Sequence, residues 1–157
     1  MKKTLLATLL ATYVLGASAL ELGINGSSDR SDTDHKDAGI GLTVGEHFGP
    51  LSATAGADYY QKTGTTKLSA VAGYDVFKTG PVTGTVKVGA LYLDQQSNQY
   101  NSNKATGWAG VAGAGVAVEV AKNVALTADY RYQASESDSR IKQFNGNTYV
   151  AGVKVSF

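Results

Sequence analysis

An alternation of apolar with small or polar residues runs through most of this chain, and it is clearest in the last nine residues, YVAGVKVSF. Tyr149, Ala151, Val153, Val155 and Phe157 take turns with Val150, Gly152, Lys154 and Ser156. A period of two belongs to an extended strand, whose successive side chains point to opposite faces. One face here is apolar and the other small or polar. A tilted strand of about nine to eleven residues crosses the hydrocarbon layer of a bilayer. The stretch therefore fits a membrane strand, or else the edge strand of a soluble sandwich.

The same period recurs upstream. Alternating segments are expected over residues 20–25, 38–48, 51–60, 67–77, 82–93, 106–120, 124–132 and 149–157, which makes eight strands. The links at 27–37, 61–66, 94–105 and 133–147 are polar and mostly long, whereas those at 49–50, 78–81 and 121–123 are short. Both prolines, Pro50 and Pro81, fall in the short links, where no ladder donor is needed. Strict alternation of short and long links is expected of an all-β, antiparallel, up-and-down barrel with eight transmembrane strands. A soluble eight-stranded barrel of the lipocalin type would point its apolar row inward. The phase of 106–120, rich in Gly and Ala, is the hardest to assign.

The N-terminus speaks for export. Met1, Lys2 and Lys3 precede an apolar run over residues 4–15 and the small-residue triplet Ala17-Ser18-Ala19, the layout of a cleavable signal peptide over 1–19. The barrel domain is then expected over 20–157. Without Lys2 and Lys3, 12 of the 14 basic residues remain against 13 acidic ones, so no nucleic-acid partner is expected. The chain has no cysteine. An exported domain without disulfides must be held by packing or by closure of its backbone hydrogen bonds. The expected mature chain also lacks an apolar run of helix-spanning length, so insertion would have to be by barrel.

Aromatic placement favours the membrane version over the soluble one. Tyr59, Tyr92, Trp108, Tyr130, Tyr132 and Tyr149 lie on the apolar rows near the long links, and Phe48, Tyr74 and Phe157 lie toward the short ones. Two aromatic girdles result. By the same phase Glu21, Asp58, Asp75, Lys87, Glu119, Asp129, Arg131 and Lys154 point into the lumen. Confined charges must be paired. Closure makes the first and last strands neighbours, so Glu21 is expected to meet Lys154 across the seam. Asp129 and Arg131 are expected to form a second cluster, with Asp58 reaching toward it.

Nothing in the sequence supplies a catalytic constellation. The two histidines, His35 and His47, lie in the first long link and beside a short turn, and no strand carries a nucleophile motif, so no enzyme is expected. Asp29, Asp32, Asp34 and Asp37 could offer carboxylates to a divalent cation, but Arg30 and Lys36 interrupt them and the spacing is not that of a calcium loop. A solvated surface loop is the plainer reading, and no cofactor or metal is expected.

The signal peptide, the eight alternating segments, Ala128-Asp129-Tyr130-Arg131-Tyr132 and the closing Ala151-Gly152-Val153-Lys154-Val155-Ser156-Phe157 together resemble the small outer-membrane barrels of bacteria. These are the opacity-protein and small-porin group, similar in fold to the transmembrane domain of outer-membrane protein A. The resemblance spans the mature chain in pattern and is concentrated in the last 35 residues. It implies a monomeric barrel in the outer membrane, among its lipids and lipopolysaccharide, with loops that sometimes bind host molecules. It also implies delivery by the barrel-assembly machinery, with Tyr149, Val153, Val155 and Phe157 as the assembly signal. Two functions follow: a structural or surface-interaction barrel of adhesin-like type with a filled lumen, or a narrow porin-like channel for ions or small solutes.

Overall fold

The computed structural model describes residues 20–31, 36–96, 104–135 and 145–157. The expected signal peptide, 1–19, lies outside them, as do the tips of three long links. The strands are β1 (Leu20–Ser31), β2 (Lys36–Phe48), β3 (Leu51–Tyr60), β4 (Thr65–Thr79), β5 (Val82–Gln95), β6 (Ala105–Ala121), β7 (Val124–Ala134) and β8 (Gly146–Ser156). Each pairs antiparallel with its sequence neighbours, and β1 closes on β8. Closure removes every sheet edge, which is how a β structure satisfies its backbone where no water is available.

The strands wind steeply around the axis. Pairing followed from Ile24 through Leu42, Ala57 and Leu68 reaches Tyr92 on β5, while the opposite way round, through Val153, Leu126 and Val118, reaches Val82. A path that starts at one residue thus returns ten positions away on one strand, 92 against 82. Such stagger is the geometric condition for tilted strands to close into a barrel.

The apolar rows face outward all the way round. Ile24, Ile40, Leu42, Val88 and Trp108 are exposed, Trp108 to 65%. A soluble barrel would be the reverse. The alternation also settles β6: Trp108, Ala112, Ala114 and Val116 are exposed, whereas Ala109 and Val111 are buried inside.

The strands run further into the polar links than the alternation suggested. β1 continues to Ser31 and β2 begins at Lys36, so most of the expected loop 27–37 is ladder, and the link expected at 61–66 is a turn over 61–64. The cause is that Ser27, Asp29 and Asp37 lie on the inward row, where a polar lumen accepts them. Polarity alone does not end a barrel strand.

At the other end the three short turns share one construction. Positive φ, at the first link residue in Gly49 (66°) and Gly80 (57°) and at the second in Asn123 (66°), lets two-residue links reverse the chain. In each turn the last residue gives its carbonyl to the following hairpin: Pro50 O accepts from Asp75 N, Pro81 O from Glu119 N, and Asn123 O from Ser156 N, at 2.7–2.9 Å. Phe157 N donates to Leu20 O at 2.8 Å and completes the rim at the seam. Two bulges, between Asp75 and Phe77 and between Glu119 and Ala121, adjust the register there. Plain alternation would send Phe77 inward beside Asp75. The bulge turns it outward, and its ring covers Gly84.

Candidate functional site

The lumen is divided along its length. From the short turns up to Arg131 it is hollow, a cavity of about 500 Å³ lined by Glu21, His47, Asp75, Lys87, Asp129 and Lys154 among others. Above Arg131 the described residues fill it, with a void of about 20 Å³ among Asp58, Tyr60, Lys67 and their neighbours.

Three charge clusters line this interior. Nearest the short turns, Lys154 Nζ lies 2.8 Å from Glu21 Oε1 across the β1–β8 seam, and Ser156 Oγ donates to the same oxygen at 3.3 Å. His47 stands between two carboxylates, 3.4 Å from Glu21 and 3.8 Å from Asp75, and the hydroxyl of Thr85 donates to Asp75 at 2.7 Å. At mid-height Asp129 receives Lys87 on one oxygen (2.5 Å) and Arg131 on the other (3.0 Å). Gly115 permits this, because a Cβ there would overlap the Asp129 carboxylate.

The third cluster forms the filled half. Lys67 is 4% exposed; its ammonium group pairs with Asp29, donates to Gln133 Oε1 at 3.0 Å and lies 4.6 Å from the centre of the Tyr60 ring. Thr148 and Tyr60 hydroxyls also donate to Asp29. Beside this polar knot Leu91, Leu93, Ala109 and Val111 pack as an apolar plug against Val71. Above it Asp37 accepts from the backbone and hydroxyl of Thr63, at 2.9 and 2.7 Å, which draws the 61–64 turn over the barrel end.

Of the eight lumen charges expected from the sequence, Glu21 with Lys154 and Asp129 with Lys87 and Arg131 are brought together. Two behave differently. Glu119 is on the inward phase but stands at the open rim, where it meets Lys78 at 3.6 Å with both side chains more than half exposed. Asp58 does not bond to Asp129 or Arg131; its carboxylate lies against Asn25 over Gly41, where a Cβ would overlap both. Glycine at 41 gives those two larger neighbours the space, and Asp58 lines the same small void as Arg131 without an ion pair to it.

Sequence reasoning missed Lys67, Asp29, Asp37, Tyr60 and His47 as lumen residues. The signal was present: Lys67 has the parity of Asp75 on the same strand, and Asp29 has that of Glu21. Asp29 and Asp37 fall in the link expected at 27–37 because that run is polar, whereas Lys67, Tyr60 and His47 fall inside expected strands, on the inward row, and lacked only an assigned role. Two of the four acidic residues considered for a cation, Asp29 and Asp37, are inside the barrel with other partners; Asp32 and Asp34 lie outside the described residues, as does His35. Among the described residues no group of three His, Cys, Asp or Glu could hold a metal ion.

Outside, the girdle residues face the surroundings. Tyr92 packs on Trp108 (centroids 5.3 Å apart) and Tyr130 on Tyr149 (5.5 Å); Tyr59 and Tyr132 are exposed at the same end, and Phe48, Tyr74 and Phe157 at the other. Of the proposed assembly residues, Tyr149, Val153 and Phe157 are exposed and Val155 is half-buried.

An outward apolar belt, aromatic girdles and a polar, charge-paired interior define a transmembrane barrel. The chain belongs to the outer membrane protein beta-barrel domain family, whose profile matches residues 5–157. It is a bacterial outer-membrane protein; in such barrels the short turns face the periplasm and the long links the cell surface. Among solved structures it is similar to the N-terminal barrel domain of Pseudomonas aeruginosa OprF, at 15% identity and a TM-score of 0.73, covering 90% of this chain and 98% of that one. It is similar too to Neisserial surface protein A, at 19% and 0.70, covering 88% and 96%. The Yersinia pestis protein Ail follows at 15% and 0.57, covering 88% and 99%. No curated protein matches in sequence.

Proposed function

We propose that this protein is a structural or surface-interaction barrel, a closed scaffold that holds its outer links at the cell surface and catalyses no reaction. The observation that carries this reading is the filled outer half of the lumen. Among the described residues, the Lys67–Asp29 pair, Tyr60 and the plug of Leu91, Leu93 and Val111 leave a void of about 20 Å³, too small for a hydrated ion. Eight strands enclose an interior that side chains can fill.

The adhesin-like part of the reading draws on the links at 97–103 and 136–144, whose polar sequences suit contact with a ligand. A solved structure of Ail, 16% identical with a TM-score of 0.55, holds the heparin analogue sucrose octasulfate. The partners proposed here are the membrane lipids, the barrel-assembly machinery and a surface ligand, with the barrel acting as a monomer.

The hollow periplasmic half favours a second reading, a narrow channel gated where Asp129 holds Lys87 and Arg131. Planar-bilayer recording separates the two. The purified barrel is expected to give no sustained conductance; reproducible openings that vanish in Arg131→Ala or Lys87→Met would establish the channel instead. Exchange of the outer links should abolish ligand binding without affecting conductance.

A further inference from the structure

The outer surface carries a groove that runs diagonally along the hydrogen-bonding direction. Its path follows neighbouring rows across six strands, from Gly84 on β5 through Val116, Ala128, Ala151 and Gly26 to Ala38 on β2. The walls are larger: Phe77 and Val86 at the periplasmic end, Tyr130 and Tyr149 at the outer end. Its volume is about 890 Å³. Five inter-strand steps of about 4.8 Å give it a length of about 24 Å.

The head of this groove is cationic. One row above Ser28 and Ala38, Arg30 and Lys36 sit directly opposite each other on β1 and β2, both exposed on the outward face. Like charges in that relation repel. Among the described residues neither has a carboxylate within ion-pair distance, because Asp29 and Asp37, their immediate neighbours, point into the lumen and are engaged there. Beside them Asn147 Oδ1 accepts from the Tyr130 hydroxyl at 2.6 Å, which fixes one wall of the groove just below the charges.

We infer that Arg30, Lys36 and the groove beneath them form a binding site for a phosphorylated, acylated glycolipid of the outer leaflet. The phosphate lies between the two cations and one acyl chain lies along Gly26, Ala128 and Ala151. The anion removes the repulsion between Arg30 and Lys36, and the chain covers the groove floor. The charged head stands at the outer edge of the tyrosine girdle, the level at which lipid headgroups meet the hydrocarbon. The site gives the lipid partner of the proposed scaffold a location, and it rests on the membrane placement rather than on the state of the lumen.

The test compares barrels in phosphatidylcholine nanodiscs with increasing mole fractions of lipopolysaccharide, following the heat-unfolding midpoint. Lipopolysaccharide should raise the midpoint of the native protein, and lipopolysaccharide stripped of its lipid phosphates should not. In Arg30→Gln/Lys36→Gln the apparent affinity should fall about thirty-fold, the equivalent of about 1 kcal/mol for each cation near an anionic surface. Gly26→Leu fills the groove from a position with nothing within 4 Å of a new Cβ, and should weaken binding without loss of fold. Equal shifts with intact and dephosphorylated lipid in the native protein overturn the inference whether or not the variants fold. So does an equal shift from phosphatidylglycerol or from inorganic phosphate alone, which would mean that any anion serves. Conductance of the same samples is read separately, so an open lumen would overturn the scaffold reading and leave the lipid site standing.

Discussion

Lys67 shows what a single residue contributes to this fold. Its ammonium group is fully enclosed, and Asp29, Gln133 and the Tyr60 ring replace the water it has lost. Lys67→Met would leave Asp29 in the lumen without its cation, held only by the Thr148 and Tyr60 hydroxyls, and should cost about 3 kcal/mol in urea unfolding from vesicles. Lys67→Met/Asp29→Asn should recover most of that loss; a double variant no better than the single one would mean that the pair is not coupled. Across the seam, Lys154→Met should cost much less, about 1 kcal/mol, because Lys154 is a quarter exposed and Glu21 keeps Ser156 and His47. Glycine matters in the same local way. Gly41→Ala should cost about 1–3 kcal/mol by forcing Asp58 and Asn25 apart, whereas Gly110→Ala, outward and with only Ala134 O at 3.8 Å, should be nearly neutral. Equal effects at the two positions would refute the packing argument. The seam pair could be read from the sequence, because closure makes first and last strands neighbours. The Asp58–Asn25 contact could not, since it depends on which side chain is absent from the strand between them.

At the level of the strand, alternation was the legible property and termination was not. Every outward row was set by apolar parity, including that of β6. The outer ends of β1 and β2 were not, because Ser27, Asp29 and Asp37 look like loop residues until the lumen is known to be polar. The bulge before Phe77 was equally hidden: it reverses the phase within one residue, and only the facing Gly84 makes that useful. Phe77→Ala uncovers Gly84 and should lower stability by about 1 kcal/mol, on the scale of other cross-strand aromatic contacts. The last strand carries a further expectation. Phe157 is 71% exposed and its amide closes the rim on Leu20, so its side chain is free for recognition while its backbone completes the barrel. Phe157→Ala keeps the amide and should leave refolding in detergent unchanged while reducing the folded fraction in cells. Heat-dependent gel migration reads both. Impaired refolding in vitro would assign Phe157 to stability rather than to assembly.

The whole molecule is asymmetric along the membrane normal. Solvent can enter the periplasmic half as far as Arg131, while the outer half is packed with side chains. A thiol-reactive probe supplied from the periplasmic side should label Thr127→Cys or Thr43→Cys, both of which line the cavity, and the same probe supplied from outside should not. Equal labelling from the two sides would mean that the plug opens. The asymmetry bears on how the protein experiences its surroundings. Any difference in ion activity or potential between cell surface and periplasm is dropped over the packed half alone, not over the full thickness of the bilayer. The field there is correspondingly steeper, and the one fully enclosed cation in its path, among the described residues, is Lys67.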